Sequence, residues 1–151
     1  MAGLLRRLLG RAGKPGGARP ARDRQVKALQ RAPLSYGPNP NGRADPGEVV
    51  WTWVPYEDDP KQGKDRPVLV VGRDGGTVFG LMLSSQSDRN GQQHWLTLGP
   101  GEWDRDNRPS WVRLDRVLRM PDDSIRREGA VLDRSRFDGV SKALRANYGW
   151  S

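Results

Sequence analysis

From Gly47 onward, short apolar runs alternate with turn residues, with a turn about every ten positions. The runs are rich in β-branched and aromatic residues, which favour a pleated, half-buried strand. Asp74-Gly75-Gly76 stands between two of these runs and is typical of a tight hairpin turn. The pattern predicts six short strands, at residues 49–54, 67–71, 77–83, 94–98, 111–114 and 117–120.

The last thirty or so residues change to a helical spacing. Pro121 to Ser124 have the residue types that start a helix, which predicts one short turn through Arg127. Asp133 is the expected N-cap of a final helix, because apolar residues behind it recur on one face: Phe137, Val140, Leu144 and Tyr148. The chain is therefore expected to be mainly β, a small SH3-like antiparallel barrel with a C-terminal α-helix.

Residues 1–46 differ from this part in composition and charge. They are rich in Gly, Pro and Ala, and they hold ten basic residues against two acidic ones. Because such a stretch buries little apolar surface, we expect a disordered tail with at most a short helix over residues 23–31. The formal net charge of +8 belongs to this tail, and residues 47–151 are balanced. The tail is expected to contact nucleic acid or an anionic membrane surface.

Composition excludes several classes of protein. The chain has no cysteine, which rules out disulfide scaffolds and thiolate zinc sites, and its single histidine, His94, argues against multi-histidine metal centres. No apolar run approaches the roughly 18 residues of a transmembrane helix, and no secretory signal is present, so a cytoplasmic protein is expected. Asp104 to Asn107 begin like a calcium loop but lack its later glycine and glutamate. Neither a metal nor a cofactor is predicted.

Four segments of the folded part form an ordered pattern: Gly47-Glu48-Val49-Val50-Trp51, Arg66-Pro67-Val68-Leu69-Val70-Val71, Leu83-Ser84-Ser85, and Leu114-Asp115-Arg116-Val117 followed by the closing helix. Together they resemble the PemK/MazF family of toxin endoribonucleases, whose members have a Gly-acid-hydrophobic strand, an Arg-Pro-Val strand and a strand that ends in Ile-Thr-Ser. The resemblance covers roughly residues 47–146 and is greatest to the arginine-rich, actinobacterial branch. Residues 1–46 have no counterpart.

This resemblance implies a compact barrel of the CcdB/Kid/MazF type that acts as the toxin of a type II toxin–antitoxin system. It also implies a homodimer and a cognate antitoxin that occupies the RNA groove. The implied reaction is metal-independent cleavage of single-stranded RNA, such as mRNA, by attack of the ribose 2′-OH on the adjacent phosphate. A non-catalytic RNA- or DNA-binding SH3-like module and a topoisomerase poison are the alternatives.

Arg66 and Ser84 are the expected catalytic residues. The Arg66 guanidinium can fork onto phosphate oxygens, and Pro67 restricts the residue before it to extended backbone. The alternative for Arg66 is a surface ion pair with Asp58, Asp59 or Asp65. Ser84 stands at the family's hydroxyl position, and a register slip of one residue would place Ser85 there instead.

The general base has several candidates. His94 is the only side chain with an ordinary pKa near neutrality, although a lone histidine is more often structural. The carboxylates of Asp58 and Asp115, or of Glu57 and Asp59, would serve if burial raised their pKa.

RNA binding is expected to involve Lys61, Lys64, Ser85 and Trp103. The two lysines lie in the loop that would flank the groove, and Trp103 lies in a polar loop, where its ring is predicted to stack on a base. Trp51 and Trp53 share one face of the first strand, which favours a core or dimer contact.

Overall fold

The computed structural model describes residues 34–38 and 44–150. Their regular elements are β1 (Glu48–Pro55), β2 (Gly63–Asp74), β3 (Thr77–Ser84), β4 (Trp95–Gly99), β5 (Ser110–Arg113), β6 (Leu118–Pro121), β7 (Arg126–Val131) and α1 (Arg134–Tyr148), with 3₁₀ turns at Ser87–Arg89 and Asp122–Ser124. The short helix proposed over 23–31, and most of the tail, lie outside the described residues.

The strands form one antiparallel sheet in the order β4-β5-β3-β2-β1-β7. The long central strand β3 has two partners on one edge, because its first half pairs with β6 and its last two residues pair with β5. This division bends the sheet into a half-barrel. The prediction of a mainly β, barrel-like fold that ends in a helix is confirmed.

Strand alternation divides the apolar residues between two cores. One core lies between the sheet and α1 and contains, among others, Leu69, Phe79, Leu81, Val112, Phe137, Val140 and Leu144. The other lies on the opposite face of the sheet and contains Val50, Val54, Val68, Val70, Val78, Met82, Leu118 and Met120. Because successive side chains of a strand point to opposite faces, β2 supplies both cores from a continuous apolar run.

The ends of α1 are set by local chemistry, and the N-cap is Asp133, as the sequence predicts. The side chain of Asp133 accepts a hydrogen bond from the backbone N–H of Arg136, which satisfies a donor left free in the first turn. Gly149 ends the helix in the left-handed conformation with φ of 73°, and its N–H donates to the carbonyl of Leu144.

The expected helical turn through Arg127 is wrong in part. The 3₁₀ turn covers only Asp122–Ser124, and the chain then extends as β7. This strand pairs with β1, with Val131 opposite Glu48 and Ala130 opposite Val49. Without β7, the edge of β1 would present unpaired backbone groups. Pairing of these groups favours an extended backbone over a longer turn.

The boundary of the tail also differs from the prediction. Residues 34–38 and 44–46, assigned to the tail by their composition, pack on the folded part. Tyr36 donates a hydrogen bond of 2.7 Å to the carbonyl of Leu132, and its ring lies 5.1 Å from that of Phe137. Gly47, at φ of 99°, lies under the Tyr36 ring, where a Cβ would collide with it. Tyr36 therefore anchors this segment to the folded part. The composition of the segment does not indicate this contact.

Within the described residues, the helices are all too short or too polar to cross a bilayer.

We predict that Tyr36→Phe lowers the free energy of unfolding by about 1 kcal/mol, because it removes one part-buried hydrogen bond and keeps the ring. Urea unfolding at fixed protein concentration measures the effect. Tyr56→Phe is the matched control, since the Tyr56 side chain is 37% exposed and its hydroxyl binds none of the described residues. Equal losses in the two variants would contradict an anchoring role for Tyr36.

Candidate functional site

Arg66 lies on β2 in the middle of the sheet. Thr52 of β1 is its partner on one side. On the other side Val68 pairs with Met82, and continuing this antiparallel register by two residues places Ser84 of β3 opposite Arg66. Directly opposed side chains share a face of the sheet, so the guanidinium and the Ser84 hydroxyl stand on the same face.

Two cavities meet at Arg66. The first, which we call the arginine cavity, has a volume of about 370 Å³ and includes Asp58, Arg66, Arg89, His94, Arg113 and Asp115 in its wall. The second, which we call the serine cavity, has a volume of about 340 Å³ and includes Lys64, Arg66, Ser84, Ser85, Trp51 and Trp103. Arg66 is the one described residue that lines both, and we call the two cavities together the groove.

The Arg66 guanidinium is partly buried and has no carboxylate partner. The alternative of a surface ion pair with Asp58, Asp59 or Asp65 is not what the structure shows: of the ion pairs among the described residues, none includes Arg66. Burial lowers the pKa of Arg66, and the positive charge of Arg89 lowers it further, against an opposing effect of Tyr56. An unpaired, desolvated cation of this kind favours binding of an anion.

Asp115 is held by a neighbouring arginine. Arg113 donates from Nε to one carboxylate oxygen of Asp115 at 2.6 Å and from Nη2 to Glu57 at 3.0 Å. Burial alone would lower the pKa of Arg113, but the hydrogen bonds and charges of these two carboxylates outweigh it and raise that pKa. The side chain of Asp115 is 13% exposed, so this carboxylate is fixed in orientation inside the arginine cavity.

His94 has a polar partner behind its ring. Its Nδ1 lies 2.6 Å from the hydroxyl of Tyr148 on α1, and its backbone has a φ of 73°, which is unusual for a residue with a side chain. The pKa of Tyr148 is raised by burial and by the negative charge of Asp115. Nε2 binds none of the described residues, which leaves it available at the cavity wall.

Ser84 and Ser85, the two predicted hydroxyl residues, both line the serine cavity. Ser84 is 5% exposed, and its Oγ accepts a hydrogen bond of 3.2 Å from the backbone N–H of Gln86. Since that bond uses an acceptor position, the hydroxyl proton stays available for an oxygen in the serine cavity. Ser85 is half-buried and lines the same cavity.

The two lysines that were predicted to contact RNA lie in different places relative to the cavities. Lys64 is exposed and lines the serine cavity, whereas Lys61 is exposed and lines neither cavity. Asp58 is exposed at the wall of the arginine cavity. The loop between β1 and β2 therefore brings Lys64 to the groove and leaves Lys61 outside its walls.

The surroundings of Trp103 argue against the predicted stacking of its ring on a base. Its side chain is 4% exposed, and its indole Nε1 donates a hydrogen bond of 3.0 Å to Ser110 Oγ. The ring packs over Gly101, where a Cβ would collide with it, and Arg136 covers it at 5.6 Å. A ring enclosed in this way contributes to the core and offers no free face.

The other two candidate tryptophans have different surroundings. Trp51 is half-buried, and its Nε1 donates to the carbonyl of Trp103 at 3.1 Å. Trp53 is 49% exposed. Trp51 thus contributes to the packing of the sheet, as expected, whereas Trp53 leaves a large aromatic surface uncovered.

Sequence reasoning missed Arg89 and Arg113 as members of the site. Both lie in the wall of the arginine cavity, but 23 and 47 residues from Arg66 along the chain. One signal was present for Arg113: it stands two residues before Asp115, and alternate residues of an extended chain share a face. Throughout residues 34–38 and 44–150, no cluster of three or more histidine or acidic side chains has the geometry of a metal site.

A comparison with models of protein families matches residues 45–148 to the family described as the PemK-like, MazF-like toxin of type II toxin–antitoxin systems. The matched range includes every strand, α1 and the walls of both cavities. No curated protein matches the chain.

We predict that Trp103→Phe lowers the free energy of unfolding by about 1–3 kcal/mol, because it leaves the buried Ser110 hydroxyl without its donor. Affinity for a 2′-deoxy-substituted, uncleavable oligonucleotide should change by less than about twofold, since the ring is not a stacking surface. Trp53→Phe, at an exposed position, is the control for stability. A large loss of affinity in a Trp103→Phe protein that unfolds like the wild type would restore the stacking role.

Proposed function

We propose that this chain, which belongs to the PemK-like, MazF-like family of toxins of type II toxin–antitoxin systems, is a metal-independent endoribonuclease that cleaves single-stranded RNA. Members of the family are generally RNA endoribonucleases. The observation that carries the proposal is the unpaired Arg66 guanidinium, which stands between two cavities and on the same sheet face as the Ser84 hydroxyl.

The proposed reaction is an internal transfer. The 2′-oxygen of the ribose attacks the neighbouring phosphorus, the bond to the 5′-oxygen breaks, and the products are a 2′,3′-cyclic phosphate and a 5′-hydroxyl. One proton must leave the 2′-oxygen and one must reach the 5′-oxygen. The arginine cavity contains two side chains suited to these transfers, Asp115 and His94, beside Arg66.

We assign the proton acceptor to Asp115 and the proton donor to His94. The Asp115 carboxylate is oriented by Arg113 and lies in the same cavity wall as Arg66, so it is placed to take the 2′-OH proton. Histidine is the residue type that carries a proton near neutral pH, and its Nε2 is free while Tyr148 holds Nδ1. Exchange with water then returns both groups to their starting states. Asp58 is the third candidate, but its exposed position leaves it solvated.

The phosphate charge increases as the pentavalent phosphorane forms, and Arg66 is placed to stabilise it. A guanidinium forks onto two phosphate oxygens, and one that is positioned before the substrate binds needs no reorganisation during the reaction. The Ser84 hydroxyl and Lys64 supply further donors along the serine cavity. Ser85 lines the same wall and is placed to contact the RNA backbone.

The proposed partners follow from the family and from two surfaces. A cognate antitoxin would inhibit the toxin by occupying the groove around Arg66. A homodimer would cover apolar surface such as Trp53 on β1. The basic N-terminal residues would add sequence-independent attraction to RNA, since phosphate contacts by Lys and Arg depend on charge and not on base identity.

We expect Arg66→Ala to reduce RNA cleavage in EDTA by about 10²–10³-fold, the usual effect of removing one electrostatic contact to a transition state. Gel analysis of a single-stranded RNA substrate measures it, with mass spectrometry of the ends to identify the cyclic phosphate. Arg145→Ala is the matched control, because Arg145 is an exposed arginine on α1 outside both cavities.

Intact RNA at high concentrations of the wild-type protein in EDTA would contradict the enzymatic proposal. If the protein then still bound RNA, and Arg66→Ala bound it equally well, the non-catalytic binding module would replace it.

The proton-transfer roles predict large losses of activity in two variants. Asp115→Asn and His94→Gln should each lower kcat/KM by about 10²–10⁴-fold, because each removes one proton-transfer group. Asp138→Asn, in an exposed pair on α1, is the control. Activity that persists in Asp115→Asn and is lost in Asp58→Asn would move the acceptor to Asp58.

A further inference from the structure

A second arginine faces the arginine cavity from a different element. Arg89 ends the 3₁₀ turn Ser87–Arg89, which follows β3 directly after the serine pair. Its guanidinium lies over the ring of Trp95, 4.7 Å from the ring centre, and both residues line the cavity. The stacking on Trp95 restrains a long side chain that would otherwise sample many rotamers.

The guanidinium of Arg89 has few hydrogen-bond or ion-pair partners among the described residues. Its Nε is buried and has no hydrogen-bond partner, and the bond from Nη1 to the amide oxygen of Gln92 is long, at 3.5 Å. Among the ion pairs of the described residues, none includes Arg89. A buried donor without an acceptor is unfavourable, and this nitrogen belongs to a guanidinium whose residue lines the arginine cavity.

Arg66 and Arg89 also repel each other. Both residues line the arginine cavity, and the positive charge of Arg89 contributes to the lowered pKa of Arg66. Two like charges in a partly desolvated cavity raise the free energy of the empty protein. An anion bound between them removes the repulsion and satisfies both sets of donors.

The other two arginines of the cavity already have partners. Arg113 binds Glu57 and Asp115, and Arg116 donates to the carbonyl of Pro55 at 2.8 Å. Asp58 is exposed and joins neither Arg66 nor Arg89 in an ion pair. The cavity therefore holds four arginines, and Arg66 and Arg89 have no ion-pair partner among the residues described.

We propose that Arg66 and Arg89 form a two-arginine clamp that holds a single phosphate group, and that Trp95 orients the Arg89 side of it. The clamp faces the same cavity as Asp115 and His94, so the phosphate it holds is the one that reacts. As a statement about the RNA substrate this rests on the proposed function, whereas phosphate binding by the clamp can be measured without any cleavage.

The test is a titration of the full chain with inorganic phosphate at constant ionic strength, followed by NMR of the arginine Nε–H groups. Saturation with phosphate should shift the Nε–H signals of both Arg66 and Arg89. Arg89→Ala should weaken phosphate binding by about tenfold or more, as expected for loss of a charge-assisted hydrogen bond. Arg89→Lys should recover part of it, since it restores the charge but not the fork.

Arg119→Ala is the matched control. Arg119 also stacks on an aromatic ring, at 5.5 Å from that of Phe79, but it lies outside both cavities. This variant should bind phosphate like the wild type. An Arg89 signal that does not move at saturating phosphate, or equal affinities for Arg89→Ala and Arg119→Ala, would overturn the clamp.

Cleavage kinetics separate the clamp from the proposed activity. If the wild-type protein cuts RNA, Arg89→Ala should lower kcat/KM by about tenfold or more, in line with its loss of phosphate affinity. Phosphate binding that depends on Arg89 in a protein that never cuts RNA would support the clamp and contradict the nuclease proposal. Cleavage that is unaffected by Arg89→Ala would support the nuclease and contradict the clamp as part of its site.

Discussion

The site depends on one constraint, a guanidinium held in the middle of a β-sheet without a carboxylate to neutralise it. Arg66 stands between Thr52 on β1 and the register position of Ser84 on β3. Pairing of β2 with β1 at Arg66, and with β3 from Val68 onward, holds the backbone of Arg66 beside both cavities. A partly buried cation without a carboxylate partner favours an anion as its ligand.

Much of the fold can be predicted from the sequence because the apolar pattern is strong where the strands are buried. The run Val68 to Val71 lies between both cores, and Phe137, Val140 and Leu144 form the inner face of α1. β7 escapes prediction because its residues are mainly polar and charged. It is a strand because the edge of β1 needs hydrogen-bond partners, and that requirement is visible only in three dimensions.

The site is less predictable than the fold, for a physical reason. Arg66 and Ser84 lie in motifs, but whether a side chain is buried depends on neighbours distant in sequence. Trp103 lies in a polar loop and is nevertheless enclosed, since Gly101 and Ser110 provide a space and an acceptor for it. Tyr36 lies in a segment rich in Gly and Pro and still packs on Phe137. Composition describes a segment as a whole. In each of these two segments, however, the packing depends on a single aromatic residue.

The distribution of charge is compatible with phosphate binding by a domain without net charge. Residues 47–151 carry as many acidic as basic residues, and on that ground alone strong attraction to RNA would not be expected. The pairs Arg73–Asp122, Arg108–Asp104, Arg134–Asp138 and Arg136–Asp133 neutralise charges outside the arginine cavity. Inside it, Arg113 pairs with both Glu57 and Asp115. Two carboxylates of this cavity are thus held by Arg113, whereas Arg66 and Arg89 have no ion-pair partner among the described residues. Local pairing, and not net charge, sets the potential that a phosphate meets in the groove.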